Sequence, residues 1–210
     1  MKFLNVLVLL LLVFSSQISL SANKNILIFG DSLSAAYNIP TNKGWVYLLE
    51  QRLRNKLLDI NVVNASISGE TSSGGLTRFK SQIQKTRPDI VILELGANDG
   101  LRGYDLNTTR GNLMAMIEMS QNIKASVILA GIHIPPNYGR TYTRKFDQIF
   151  IDLAEMENVS LIPFILEGVA TNPTLMLNDG LHPNEEGQKV VLLTVMNHLL
   201  PYLTDKESTP

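Results

Sequence analysis

The sequence predicts an α/β protein, a three-layer α/β/α sandwich built on a parallel sheet. Two observations carry that prediction. After residue 22, short runs of Val, Ile and Leu alternate with amphipathic helical patterns, and such alternation implies strands joined by right-handed helical crossovers. The runs also lack polar alternation, as do strands covered on both faces. With 210 residues the chain fits one domain and is long enough to bury a full core.

The elements follow in order. Ile26–Phe29 is the first strand, and it breaks at Gly30. Val46, Leu49, Leu53 and Leu57 share one helical face. Asn61–Ala65 is the second strand, followed by a helix carrying Leu76, Phe79 and Ile83. Asp89–Leu95 is the third strand, followed by a helix with Leu113, Met116 and Ile117. Ser126–Ile132 is the fourth, and Tyr142, Phe146, Ile149, Phe150 and Leu153 make the clearest helical stripe after it. Ser160–Ile162 is the fifth strand, and a last helix runs from about Asn184 to Leu200, stopping at Pro201. Residues 205–210 read as a frayed tail.

The first 22 residues stand apart. Lys2 precedes the apolar stretch Phe3–Phe14, interrupted only by Asn5, and Ser15–Ala22 offers cleavage after Ser21 or Ala22. That is a secretory leader in outline, its apolar core of about 12 residues falling short of the roughly 20 that span a bilayer. An uncleaved N-terminal anchor is the alternative. The reading predicts a leader over 1–22, one domain over 23–210, and a periplasmic or secreted protein without stable membrane insertion after cleavage. The formal charge is −1, with no basic stripe to hold nucleic acid. With no cysteine, disulfides, thiolate metal sites and cysteine nucleophiles are excluded.

Candidate chemistry gathers where strands end, the rim at which open α/β sheets bind ligands. Ser32 follows the first strand in Gly30-Asp31-Ser32-Leu33-Ser34. Taken alone it reads more readily as a helix cap than as a nucleophile. There are three histidines. His198 lies within the last helix, and His133, at the end of the fourth strand, reads best as a structural residue. His182 sits three residues after Asp179 in a glycine-containing turn; that spacing lets the carboxylate reach Nδ1 and leaves Nε2 free to accept a proton. Gly69 and Asn98 follow the second and third strands. They can offer a backbone N–H and a side-chain amide to an oxyanion, or serve as ordinary turn residues.

Taken together, Gly30–Ser34, Gly69, Gly96-Ala97-Asn98-Asp99 and Asp179-Gly180-Leu181-His182 resemble the four ordered blocks of the SGNH (GDSL) hydrolases. The strings 64–72, 94–103 and 135–140 are similar to the periplasmic multifunctional esterases of that family, described as acyl-CoA thioesterases, arylesterases and lysophospholipases. Glu70 departs from the pattern, standing where an aspartate is more usual. The resemblance implies a five-stranded, flavodoxin-like parallel sheet. It implies Ser32 as nucleophile, His182 as base and then acid, Asp179 as its orienter, and an oxyanion hole from the Ser32 and Gly69 N–H groups and the Asn98 side chain. Asp31 would hold the turn. The segments 101–104 and 134–142 should flank the acyl site; their Leu101, Arg102, Pro135 and Tyr138 are candidates to bind substrate, and Arg102 and Arg140 either meet an anionic group or are solvated loop charges. The expected substrates are small-molecule esters, thioesters or lipids, taken by a monomer with no metal or organic cofactor. Rival readings are a carbohydrate O-acetyl esterase, a non-catalytic phosphate-binding module, and a metal phosphohydrolase using Asp31 and Asp99.

Overall fold

The structure, a computed structural model, describes residues 24–56 and 58–203. The expected leader, Leu57 and the tail 205–210 lie outside those residues. Five strands, β1 (Lys24–Gly30), β2 (Ile60–Asn64), β3 (Ile90–Glu94), β4 (Ser126–Ala130) and β5 (Ser160–Ile162), form one parallel sheet in the order β2-β1-β3-β4-β5. Helices α1 (Trp45–Asn55) and α6 (Glu185–Leu203) pack together on one face. On the other, α2 (Ser72–Thr86) packs on α4 (Leu106–Asn122), and α4 on α5 (Arg140–Met156). This is the expected three-layer sandwich.

The middle strands are apolar because both faces are covered. Ile26–Phe29 and Val91–Leu93 are fully buried, and they pair in register from Ile26↔Ile90 to Gly30↔Glu94. The sheet's direction of growth reverses between β1 and β3, so a crevice opens beyond their C-terminal ends. Side chains that follow β1 and β3 meet there. Caps fix where the helices begin: Thr71 Oγ1 accepts from the Gly74 N–H at 3.2 Å, Asp105 from Thr108 at 2.9 Å, and Asn184 from Glu186 and Gly187 at 3.1 Å.

Beyond shifts of one or two residues at the ends of the first four strands, two elements differ from expectation. A short helix α3 (Ala97–Leu101) directly follows β3; its five residues hold one glycine and too little apolar periodicity to be read. The last helix also passes Pro201 and ends at Leu203. Proline forfeits one intrahelical bond. In the final turn that loss is offset: Tyr202 and Leu203 pack against the core, and the Lys24 ammonium donates to the Tyr202 carbonyl at 3.1 Å.

Candidate active site

The turn after β1 is held from within. The Asp31 carboxylate is fully buried and accepts the Leu33 N–H at 3.1 Å, while the Asp31 carbonyl accepts the Ala35 N–H at 3.0 Å. Gly30 is required by crowding, since a Cβ there would stand 2.4 Å from Glu94 Oε2 and 2.9 Å from Ser34 Oγ. No α-helix begins until Trp45, so Ser32 caps nothing and its hydroxyl is left for other work.

That hydroxyl lies 2.8 Å from His182 Nε2. On the other side of the ring, Nδ1 lies 2.7 Å from Asp179 Oδ2. The Asp179–His182 turn holds itself in shape. Asp179 Oδ1 accepts the backbone N–H groups of Leu181 and His182 at 2.9 and 3.0 Å, Gly180 takes φ +66°, and the Leu177 N–H donates to the His182 carbonyl at 2.7 Å. Burial alone would raise the Asp179 carboxyl. The two backbone N–H groups and the imidazole outweigh it and hold the carboxyl below its ordinary value. An ionised Asp179 keeps the proton of neutral His182 on Nδ1 and leaves Nε2 as the acceptor for the Ser32 O–H. The Tyr37 ring leans on the imidazole at 4.5 Å between centroids, a contact the sequence analysis missed.

Three N–H donors stand beside this series. The backbone N–H groups of Ser32 and Gly69 make no hydrogen bond to the protein among the described residues. Gly69 takes φ +79°, which suits glycine. Asn98, on α3, donates one amide hydrogen to Asp31 Oδ2 at 3.0 Å and has a second to give. Ser32, Gly69, Asn98 and His182 all line one cavity of ≈ 260 Å³. Its remaining wall is largely apolar, with Leu33, Leu101, Ile132, Ile134, Pro135 and Leu166.

Leu101 and Pro135 therefore stand where substrate contacts were expected. Arg102 and Tyr138 do not line the cavity, and each has a nearer partner. Arg102 Nη2 donates to the Gly69 carbonyl at 3.1 Å, and the Tyr138 hydroxyl donates to the Leu101 carbonyl at 2.9 Å. Both tie the cavity's loops together. Arg140, the first residue of α5, is exposed outside the cavity. Glu70 pairs with Arg78 of α2, whose guanidinium lies 4.0 Å from the Phe29 ring centroid. The longer acid thus anchors the Gly69 loop to a helix. His133 also lines the cavity, with Nδ1 2.9 Å from Asp147 Oδ1 and its ring against Phe164.

Asp31 and Asp99, the rival metal ligands, are engaged separately. Asp99 accepts the Ser72 N–H and hydroxyl at 2.8 and 2.6 Å, while Asp31 meets Leu33 and Asn98. Among the described residues no three His, Asp or Glu side chains are grouped to hold a metal. A residue missed entirely is Glu94, fully covered at the end of β3. The signal was present, since a lone acid at the end of an apolar strand needs a partner.

Burial pushes the Asp31 carboxyl up to about 6, partly offset by the Leu33 N–H, Glu94, the charge on His182 and Asn98. Asp31 thus holds a proton more tightly in the folded chain than in the unfolded one, while staying ionised at neutral pH. Its stabilising contribution is complete below the unfolded value of 3.8 and is lost as pH rises through about 6. Unfolding free energy is therefore expected to fall between about pH 4 and 6 from this group. Urea titrations across that window check this: Asp31→Asn flattens the slope, and an unchanged slope contradicts the assignment.

A hydroxyl, an imidazole and a carboxylate in series, facing N–H donors on the rim of an α/β sandwich, form the constellation of an acyl-transferring hydrolase. Comparison with known proteins agrees. The sequence model of the GDSL-like Lipase/Acylhydrolase family matches residues 28–190. The chain is 41% identical over 194 residues to an arylesterase of Vibrio mimicus, covering 92% of this chain and 97% of that protein. It is 38% identical over 181 residues to the thioesterase 1/protease 1/lysophospholipase L1 of Escherichia coli K12, covering 86% of each. The crystal structure of the psychrotrophic esterase EstA from Pseudoalteromonas sp., inhibited by monoethylphosphonate, superposes with a TM-score of 0.82 at 40% identity, covering 86% of this chain and 98% of that one. The chain belongs to the GDSL-like lipase/acylhydrolase family and is an ester-bond hydrolase.

Proposed function

We propose that the protein is an exported serine esterase of broad acyl specificity, with Ser32 as nucleophile, His182 as general base and then acid, and Asp179 orienting the imidazole. The observation that carries this reading is the unbroken series Asp179–His182–Ser32 at 2.7 and 2.8 Å. His182 Nε2 takes the Ser32 proton as Oγ adds to the ester or thioester carbonyl. The oxyanion is met by the Ser32 and Gly69 N–H groups and the free hydrogen of the Asn98 amide. His182 then protonates the departing alkoxide or thiolate, leaving an acyl-serine. Water, deprotonated by the same Nε2, releases the acid and restores Ser32.

Aryl esters, acyl thioesters and lysophospholipids are the substrate classes that the names of the relatives support, and the apolar cavity wall suits an acyl chain. The residues invoked are all supplied by one chain, so a monomer suffices for the reaction. Residues 1–22 act as a leader and 23–210 as the hydrolase domain, placing the enzyme in the periplasm or outside the cell. Among the described residues no helix is long and apolar enough to cross a membrane.

A fluorophosphonate probe is expected to label Ser32 stoichiometrically, as read by peptide mass spectrometry. Labelling elsewhere, or none, would sink the nucleophile assignment. In the same preparation, p-nitrophenyl esters of graded chain length, an acyl-CoA, a lysophospholipid and an acetylated sugar separate the substrate classes. Preference for the acetylated sugar would favour the O-acetyl esterase reading.

A further inference from the structure

We propose that Glu94 is a positioning residue for the reaction: as a neutral carboxylic acid it donates a hydrogen bond to the Asp31 carboxylate, which in turn fixes the Asn98 amide beside Ser32. The inference rests on the proposed roles of Ser32 and Asn98 and adds a support that neither the family blocks nor the triad contains.

The sheet brings the two acids together. Gly30 and Glu94 are paired residues of adjacent strands, so the acid ending β3 lies beside the turn leaving β1. One oxygen, Glu94 Oε2, accepts twice: from the Ser34 hydroxyl at 2.7 Å and from the Asp31 N–H at 3.2 Å. The bond from the Asp31 N–H and the Gly30↔Glu94 pairing set the two carboxyls beside each other. Asp31 in turn accepts from Leu33 N–H and Asn98 Nδ2. Both acids are buried, and two adjacent buried carboxyls do not both ionise. The proton belongs on Glu94: both Asp31 oxygens already accept N–H donors, Oδ1 from Leu33 and Oδ2 from Asn98, whereas both bonds to Glu94 fall on Oε2 and among the described residues none reaches Oε1. Burial first, then the charge of Asp31, raise Glu94 well above its ordinary value, in the same direction. The other ionisable groups of the site leave this arrangement intact. His182 favours an ionised Asp31, Asp179 is occupied by His182, and Asp99 is turned to Ser72.

The consequence is a relay of fixed geometry from Ser34 through Glu94 and Asp31 to Asn98. An amide held on one hydrogen by a charged acceptor cannot rotate away, so its second hydrogen stays aimed at the developing oxyanion. Without Glu94 the Asp31 carboxylate loses a donor in a dry site and no longer holds the amide rigidly.

The test is a double-mutant cycle on full-length protein with a p-nitrophenyl ester. Glu94→Ala is expected to lower kcat by about 10- to 100-fold with KM unchanged, and Glu94→Gln, the shape of the neutral acid with its donor retained, to recover most of that loss. In an Asn98→Ala background, Glu94→Ala is expected to cost no more than about twofold further. Should Glu94→Ala fold poorly, Asp31→Asn enters the same cycle, keeping the shape while removing the charged acceptor. Failure of Glu94→Gln to recover activity overturns the proposal, because the charge on Glu94 would then be what matters. Costs that multiply with Asn98→Ala overturn it too, because Glu94 would then act by another route. Fluorophosphonate labelling of the parent protein separates the two readings. A parent labelled at Ser32 whose mutant costs multiply refutes only the relay, whereas an unlabelled parent refutes the nucleophile beneath it.

Discussion

Ser32→Ala is expected to reduce kcat for a short p-nitrophenyl ester by roughly 10⁴- to 10⁶-fold, the range seen when a hydrolase loses the nucleophile of a concerted unit. KM is expected to change little, since the apolar wall that receives the acyl chain is untouched. The substitution removes one oxygen from a half-buried residue whose only side-chain partner among the described residues is His182, so the fold is expected to survive with its melting temperature within a few degrees. Because Ser32 and His182 act as one unit, Ser32→Ala/His182→Ala is expected to be hardly slower than either single variant. Initial rates at enzyme concentrations high enough to detect the residual activity check both statements. Retention of more than about a hundredth of the parent kcat by a folded Ser32→Ala protein would remove Ser32 from the mechanism.

Asn98→Ala is expected to lower kcat by roughly 100- to 1000-fold, the usual cost of one oxyanion donor. The loss belongs in kcat because the second amide hydrogen meets charge that exists only as the tetrahedral species forms. Two further donors, the Ser32 and Gly69 N–H groups, remain, which is why the cost is smaller than that of losing the nucleophile. Steady-state kinetics on a chromogenic ester decide the matter: a rise confined to KM would make Asn98 a ground-state contact instead. Asn98→Ala also strips a hydrogen bond from the buried Asp31 carboxylate, so a modest loss of stability of about 1–3 kcal/mol is expected alongside.

Much of the architecture was legible because it is written in short-range pattern. Ile26–Phe29 could only be a covered strand, and Ser160–Ile162 was read with its observed bounds. The fourth strand was read two residues too long because Gly131 and Ile132 are apolar enough to continue it. In the structure the ladder stops at Ala130↔Ile162, and a Cβ at residue 131 would meet the Pro163 carbonyl at 2.4 Å. Arg102 and Tyr138 were read as substrate contacts from their place beside the site. Their actual partners, the carbonyls of Gly69 and Leu101, lie 33 and 37 residues away, and no spacing rule reaches that far.

The sequence by itself determined the strand–helix alternation, the serine turn after the first strand and the D-x-x-H turn, because each depends on residues only a few positions apart. The hydroxyl–imidazole contact joins residues 150 positions apart, and the Ser34–Glu94 bond joins residues 60 apart. Only the tertiary structure decided these. The strand order sets β1 beside β3, and the rim they share brings Ser32, Asn98 and His182 to one cavity. The same pairing buries Glu94 and Asp31 side by side, where a dry environment leaves room for one charge and makes the other acid a donor.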